Sequence, residues 1–415
     1  MKKFMPTVVL SLLVSLGFGL PLFNYVESTP MVGYQILGSN ELDDGTRLTH
    51  ILLQSQVWRG MLWEHDVLVV EPAEAEFTDR AVIFVTGDYK PDLDDTGDLS
   101  ISDYLLISKK FSTPLVVLGD IPNQPIFGLR EDDLIAHTFL QYIETHEEDL
   151  PILFPMVKSV VSTMDMIEKL MGIKKYAVTG ASKRGWTTWL TAVVDERVFA
   201  IIPIVFDNLN FPQQFEHQIQ MYGQYSQMLK PYTSRGLAEM ISSKTGQELL
   251  NAVDPYSYKE RLTMPKLIIN ATNDQYWTVD SAALYFNDLK GQNFILYVPN
   301  NNHGIKNIPY VLDNTSSFLK LVIAGKLPRV VWSSEESGIT VSQSEGLKEV
   351  YMWRAVSDTT DFRKSIWVRI PQNPTGGLYH VDPEPPSGKH IAYYLELVLE
   401  IDGLTLSVCT PVKWK

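Results

Sequence analysis

The chain has 415 residues, of which 45% are hydrophobic and 20% charged, with a formal net charge of −14 and a pI near 5.1. That length suffices for two domains with well-buried cores. The acidic balance argues against nucleic acid or an anionic membrane surface as partner, since both require clustered Lys and Arg. The single cysteine, Cys409, excludes an intrachain disulfide.

Lys2 and Lys3 precede an apolar run from about Val8 to Phe23 that is broken by Gly17, Gly19 and Pro21. A basic start, an apolar middle and small breakers form the pattern of an export signal. Residues 1–28 are therefore read as an export signal, with an uncleaved N-terminal membrane anchor as the alternative. A periplasmic or secreted protein is expected, with no membrane contact beyond this segment.

Residues 31–326 alternate short β-branched runs with longer helical stretches. Strands are expected at 67–70, 81–85, 114–118, 176–178, 200–205, 266–270 and 293–298, several of them apolar throughout, as in strands covered on both faces. Helices are expected at 134–142, 156–171, 186–194, 280–289 and 315–323. Alternation of this kind implies a mostly parallel sheet with helices on both faces and right-handed crossovers. Residues 208–257, rich in Gln, Tyr and Met, interrupt it and read as a helical insertion able to cap a pocket. From 327 to 415 the pattern changes to period two, with strands at 330–332, 338–341, 348–355, 365–370, 393–401 and 404–412. This predicts a small C-terminal all-β domain of sandwich type.

The stretch "VTGASKRGWTTWL" places Ser182 between small residues, after a strand and before a helix. A serine hydroxyl is too weakly acidic to attack unaided, so it needs a base and must stand clear of its own backbone. A sharp strand-to-helix turn meets the second need and offers free N–H groups at the new helix start. The usual spacing is G-x-S-x-G; here Arg184 occupies the second glycine position and Gly185 follows it. The alternative is a serine capping a helix at an ordinary tight turn.

In that arrangement the acid and the histidine come later in the chain, on loops after sheet strands. Of the eight histidines, His303 in "VPNNNHGI" is the one so placed. Asp274, just past the 266–270 strand in "ATNDQYWTVD", is the acid that would orient it. Asp280 is the competitor, with helix capping as its other role. For an oxyanion, one donor is expected from the Lys183 backbone N–H. The second is expected from the "TGDYK" turn, through Gly87 or Asp88, or from the Tyr89 hydroxyl.

Asp92, Asp94, Asp95 and Asp98 lack EF-hand spacing and read as a solvated acidic loop. No zinc-protease histidine pair or Walker-type glycine loop is present, so neither metal nor cofactor is expected. Trp58, Arg59, Trp63 and His65 in "SQVWRGMLWEHDV" read as an aromatic core edge and strand.

With these blocks assembled, the sequence resembles the PhoPQ-activated pathogenicity-related protein family of exported proteins. The resemblance rests on "SQVWRGMLWEHD", "IPNQP", "REDDLIAHTF", "GASKRGWTTWL", "VDPYSYKERLTMPKLIINATND", "VPNNNHG" and "TDFRKSIW". It implies an α/β-hydrolase fold with an appended β domain, a Ser182–Asp274–His303 triad, and Arg184 as a family trait. The spacing around acid and histidine is also similar, more remotely, to dipeptidyl-peptidase-type serine hydrolases. The expected function is hydrolysis of a peptide or ester bond in a small-molecule or peptide substrate through an acyl-enzyme. The insertion's aromatic and amide side chains suit a peptide or polar ester better than a lipid, and peptidase-like activity is slightly favoured. The alternatives are a carbohydrate or small-molecule esterase and a non-catalytic signalling or binding protein on a hydrolase scaffold.

Overall fold

The computed structural model describes residues 21–88, 99–342 and 345–415. Nine strands build the first part: β1 (Gly33–Glu41), β2 (Arg47–Trp58), β3 (Met61–Glu71), β4 (Ala81–Val85), β5 (Leu115–Leu118), β6 (Tyr176–Ala181), β7 (Val198–Ile204), β8 (Lys266–Ala271) and β9 (Asn293–Val298). The run β5-β4-β6-β7-β8-β9 is parallel. Its members are apolar in succession: every residue of β5 and of β8 is buried, because helices cover both faces.

One face carries α1 (Pro21–Ser28), α3 (Glu131–Thr145), α4 (Leu153–Met171) and α5 (Lys183–Val194). The other carries α2 (Ile101–Phe111) and α10 (Ile308–Ala324), whose Tyr104, Ile107, Phe111, Leu312 and Phe318 pack on β4, β5 and β7 to β9. Helix α1 is the tail of the stretch read as an export signal. Its Leu22 and Val26 are buried in the core, and Lys158 Nζ on α4 donates to the Val26 carbonyl at 3.2 Å.

The insertion after β7 is helical, as expected: α6 (Phe211–Tyr222), α7 (Lys230–Thr233), α8 (Leu237–Met240) and α9 (Lys244–Val253). Asp254 fixes its entry by accepting the N–H groups of Asn210 (3.3 Å) and Phe211 (2.9 Å). The helix expected at 280–289 is instead two 3₁₀ turns, Ser281–Leu284 and Phe286–Asp288. Tyr285, between them, swings out to φ −147° and its hydroxyl donates to buried Asp207 at 2.6 Å.

The C-terminal region is β throughout: β10 (Trp332–Glu335), β11 (Gly338–Ser342), β12 (Leu347–Ser357), β13 (Val368–Gln372), β14 (Leu378–Val381), β15 (His390–Ile401), β16 (Leu404–Cys409) and β17 (Lys413–Trp414). It has two layers. β10, β11 and β14 form one sheet, and Ile339, Val341, Tyr379 and Val381 pack from it against β12, β15 and β16. The second layer is continuous with the central sheet, since β16 pairs antiparallel with β9 at Cys409 and Ile295. At the opposite edge β1, β2 and β3 add an antiparallel meander joined to β5. The sequence reading missed β1 and β2, for β1 is mostly exposed and carries no apolar stripe.

Candidate active site

Strand β6 ends in Gly180 and Ala181, and the chain reverses at Ser182 with φ 58° and ψ −123°. The Ser182 N–H donates to the Ile204 carbonyl at 2.8 Å, which ties the turn to β7. Two glycines let it close. A Cβ on Gly180 would lie 2.8 Å from the Arg184 carbonyl oxygen, and one on Gly185 would lie 3.0 Å from Ile204 O and 3.1 Å from Gly180 O. Gly185 thus does the packing task expected of the elbow's second glycine, one residue late.

The Ser182 side chain makes no helix-cap hydrogen bond. Its Oγ lies 2.9 Å from His303 Nε2, and His303 Nδ1 lies 2.8 Å from Asp274 Oδ2. The other Asp274 oxygen accepts the Tyr276 N–H at 2.8 Å. Gln275 Oε1 accepts the His303 N–H at 3.1 Å, and the Tyr276 ring lies with its centroid 4.3 Å from the imidazole centroid. With Asp274 ionised, Nδ1 carries the proton and Nε2 presents its lone pair to the serine hydroxyl. Three side chains distant in sequence therefore meet in the order hydroxyl, imidazole, carboxylate, an array able to pull a proton from Ser182 and hold it.

The two residues after the serine are basic and are clamped by α3. Arg184 makes paired hydrogen bonds with Glu131, at 2.8 and 2.7 Å, and donates through Nε to Ile121 O at 2.5 Å. Lys183 Nζ lies 2.8 Å from Glu131 and 3.5 Å from Asp132. Burial alone would raise the Glu131 carboxyl, but Arg184 and Lys183 outweigh it and hold it at about 2. Gly87 makes room for this clamp, since a Cβ there would lie 2.6 Å from an Arg184 terminal nitrogen. The blocks "IPNQP" and "REDDLIAHTF" thus converge beneath the elbow. Their part was not read from the sequence, although an Arg in place of glycine was a signal that a counter-charge had to exist.

Lys183 opens α5, so its backbone N–H sits at a helix start. Gly87 borders the Arg184 guanidinium. The Asp88 carboxylate accepts from Gln124 at 3.1 Å and pairs with Arg130. Tyr89 and the acidic residues Asp92, Asp94, Asp95 and Asp98 lie outside the described residues.

Beside Ser182 lies a cavity of about 60 Å³, lined by Trp186, Phe206 and Trp277 and, from the insertion, by Phe211, Phe215, Leu229, Leu237 and Leu250. The insertion does shape a pocket, and of its expected amide lining Asn208 is present, whereas the α6 glutamines point elsewhere. Gln214 donates to the carbonyls of Leu209 and Ser281, and Gln218 to that of Tyr276, so both serve the fold. Asp280 is not a helix cap either. Its carboxylate accepts from His217 Nε2 at 2.8 Å and from Trp414 Nε1 at 2.9 Å, joining α6 to the C-terminus.

The last block, "TDFRKSIW", meets the acid and histidine loops. Asn273 Nδ2 donates to the carbonyls of Arg363 (3.2 Å) and Ser365 (2.8 Å). Asn300 exchanges two bonds with the Trp367 backbone, at 2.8 and 3.0 Å. Elsewhere, His65 is fully buried between Ser55 Oγ and Gly119 O, and burial pushes it down to about 4, so it is a neutral core histidine. Trp58 and Trp63 pack edge to face at 5.9 Å, in keeping with a core edge. Among the described residues no cluster fit to hold a metal occurs and no helix is long and apolar enough to cross a membrane.

A family model described as PhoPQ-activated pathogenicity-related protein matches residues 22–363. The chain belongs to this family. Its match takes in Ser182, Asp274 and His303 and ends at Arg363, within the segment that meets the acid and histidine loops. A relative from Dictyostelium discoideum, autocrine proliferation repressor protein A, is 33% identical over 95% of this chain and 89% of its own. Among solved structures, an acetyl xylan esterase from Paenibacillus sp. R4 superposes with a TM-score of 0.50 at 12% identity, over 72% of this chain and 91% of that one. At that identity the likeness concerns the fold, which is that of the α/β-hydrolases with a C-terminal β region added.

Proposed function

We propose that this family member is an exported serine hydrolase that cleaves an ester or peptide bond through an acyl-enzyme. One observation carries the reading: Ser182, on a backbone that few non-glycine residues adopt, has its Oγ 2.9 Å from His303 Nε2, which is backed by Asp274. In the first half-reaction His303 takes the Ser182 proton as Oγ attacks the substrate carbonyl. The oxyanion forms against the Lys183 N–H and an N–H of the Gly87–Asp88 turn. His303 then hands the proton to the leaving group, and water repeats the sequence to free the acid.

The apolar cavity beside Ser182 suits a short acyl group or a small apolar side chain. Asn208 lines it while the glutamines of α6 serve the fold, and such a lining does not separate a peptide from an ester. A short acyl group also suits the alternative of a carbohydrate esterase, and the fold neighbour named above is an acetyl xylan esterase.

The non-catalytic reading has its own support in a relative named for repressing proliferation. Labelling with a fluorophosphonate probe separates the two. Wild type should label and Ser182→Ala should not. Equal labelling of both, or of neither, would leave a signalling role on an idle scaffold. Turnover of short p-nitrophenyl esters and peptide anilides should fall at least about 10³-fold in Ser182→Ala.

A further inference from the structure

The pocket beside Ser182 contains one polar group that the fold leaves unused. Asn208 follows β7 on the segment Phe206-Asp207-Asn208-Leu209, lines the cavity and is only 8% exposed. Among the described residues its side-chain amide makes no hydrogen bond. Its neighbours behave otherwise. The Asp207 carboxyl accepts the Tyr285 hydroxyl, and Phe206 stacks on Trp186 with centroids 5.0 Å apart. An amide that faces a cavity without a protein partner is completed by whatever fills the cavity, water or ligand.

The remaining polar groups of the cavity are already engaged. The Asp132 carboxylate accepts the Tyr232 hydroxyl at 3.0 Å and the Tyr276 hydroxyl at 3.2 Å. Lys183 Nζ is held by Glu131 and Asp132. Two carboxylates, one ammonium and one guanidinium cancel in charge, so a charged acyl group would find no free counter-ion there. An amide both donates and accepts, which matches a neutral hydroxyl or carboxamide.

We infer that Asn208 is a specificity-determining residue, and that the acyl group this site takes is short and bears a neutral hydroxyl or amide. This rests on the hydrolase reading above. Size agrees: at ~10–15 Å³ for each water-sized occupant, a cavity of about 60 Å³ holds a side arm of about four to six heavy atoms. A 3-hydroxybutyryl group, with four heavy atoms beyond its carbonyl, is a representative of the class. The 3-methylbutyryl group is its apolar isostere.

The test compares p-nitrophenyl 3-hydroxybutyrate, each enantiomer separately, with p-nitrophenyl 3-methylbutyrate. Wild type should favour one hydroxy enantiomer in kcat/KM by about tenfold or more, because the isostere leaves the buried amide unpaired. Asn208→Leu should abolish or invert that ratio while keeping fluorophosphonate labelling. A wild-type ratio near one, or a ratio unchanged by Asn208→Leu, overturns the inference, as does an equal loss on both esters. Should Asn208→Leu not fold, the wild-type ratio decides alone. Binding of 3-hydroxybutyramide and 3-methylbutyramide to Ser182→Ala, followed by NMR, separates this inference from the hydrolase reading. Preferential binding of the hydroxy amide without turnover in wild type would sink the hydrolase reading and keep the role of Asn208. Equal binding would sink the role of Asn208 whatever the turnover.

Discussion

Arg184 occupies a position where most serine elbows need a glycine, and it is tolerated because its guanidinium leaves the turn at once for Glu131 and Ile121 O. This gives the elbow a charge-dependent anchor. The Glu131 carboxyl lies at about 2 in the folded protein, below its ordinary 4.5. A depressed carboxylate contributes stability that is complete above about pH 4.5 and is lost as the pH falls toward 2. Arg184→Gln should therefore lower stability at pH 7 by about 1–2 kcal/mol. The gap between wild type and variant should close as the pH falls from 4.5 to 2, as measured by urea unfolding across that range; a gap independent of pH would refute the anchor. Gly185→Ala tests the neighbouring constraint, since its Cβ would meet the backbone oxygens of Ile204 and Gly180 at 3.0 and 3.1 Å. It should cost about 1–3 kcal/mol and a larger share of kcat than of KM, because Ser182 is what the shift would displace. At this scale the sequence was legible where chemistry restricts the choice. Ser182, Asp274 and His303 could be picked out by residue type and by position after a strand. Asn208 and Glu131 could not, since nothing in a sequence marks which amide lacks a partner or which acid faces an arginine far along the chain.

The loops bearing Asp274 and His303 are short, leave β8 and β9 side by side, and are tied to each other by the Asn273 N–H on Asn301 O (2.9 Å) and the His303 N–H on Gln275 Oε1 (3.1 Å). The C-terminal region supports them from outside. Residues 360–367 receive Asn273 and Asn300 through the carbonyls of Arg363, Ser365 and Trp367. The same segment reaches α6, where Thr360 donates to Met221 O and the Arg363 guanidinium lies 3.9 Å from the Tyr222 ring centroid. Asn300→Ala removes the reciprocal pair with Trp367 and leaves two backbone groups without partners. It should lower stability by about 1–3 kcal/mol and reduce kcat with KM little changed, and the pH profile of kcat should move as the His303 loop relaxes. A proportionate loss of active protein with an unaltered pH profile would mean the bonds only hold the fold. Elements of this kind divided cleanly in the sequence. The buried parallel strands showed as apolar runs, and α4, α5 and α10 as periodic stretches. The edge strand β1, its neighbour β2 and the 3₁₀ turns around Tyr285 did not show, because strand pairing outside the parallel run and a tyrosine's reach to a buried acid depend on contacts remote in sequence.

Across the whole molecule, the change of pattern at residue 327 reads in sequence as a domain boundary, yet the sheet runs through it. β9 pairs with β16 at Ile295 and Cys409. Tyr297 packs on Tyr394 with centroids 4.9 Å apart, and Trp367 on Tyr394 at 5.4 Å. Ile295, Leu296, Tyr297 and Val298 are at most 1% exposed. Were the chain to stop near residue 326, β9 would become an open apolar edge of a large parallel sheet, a template for pairing with other chains. The loops of Asp274 and His303 would lose their supports in the same step. A chain of residues 21–326 should accordingly be recovered in aggregates, while the complete chain unfolds in one cooperative transition with near-UV and far-UV signals superimposed. A soluble, cooperatively folding 21–326 fragment that still labels at Ser182 would contradict this. It would make the C-terminal region an accessory, whereas the hydrogen bonds of residues 363–367 to the loops of Asp274 and His303 make it part of what shapes the site.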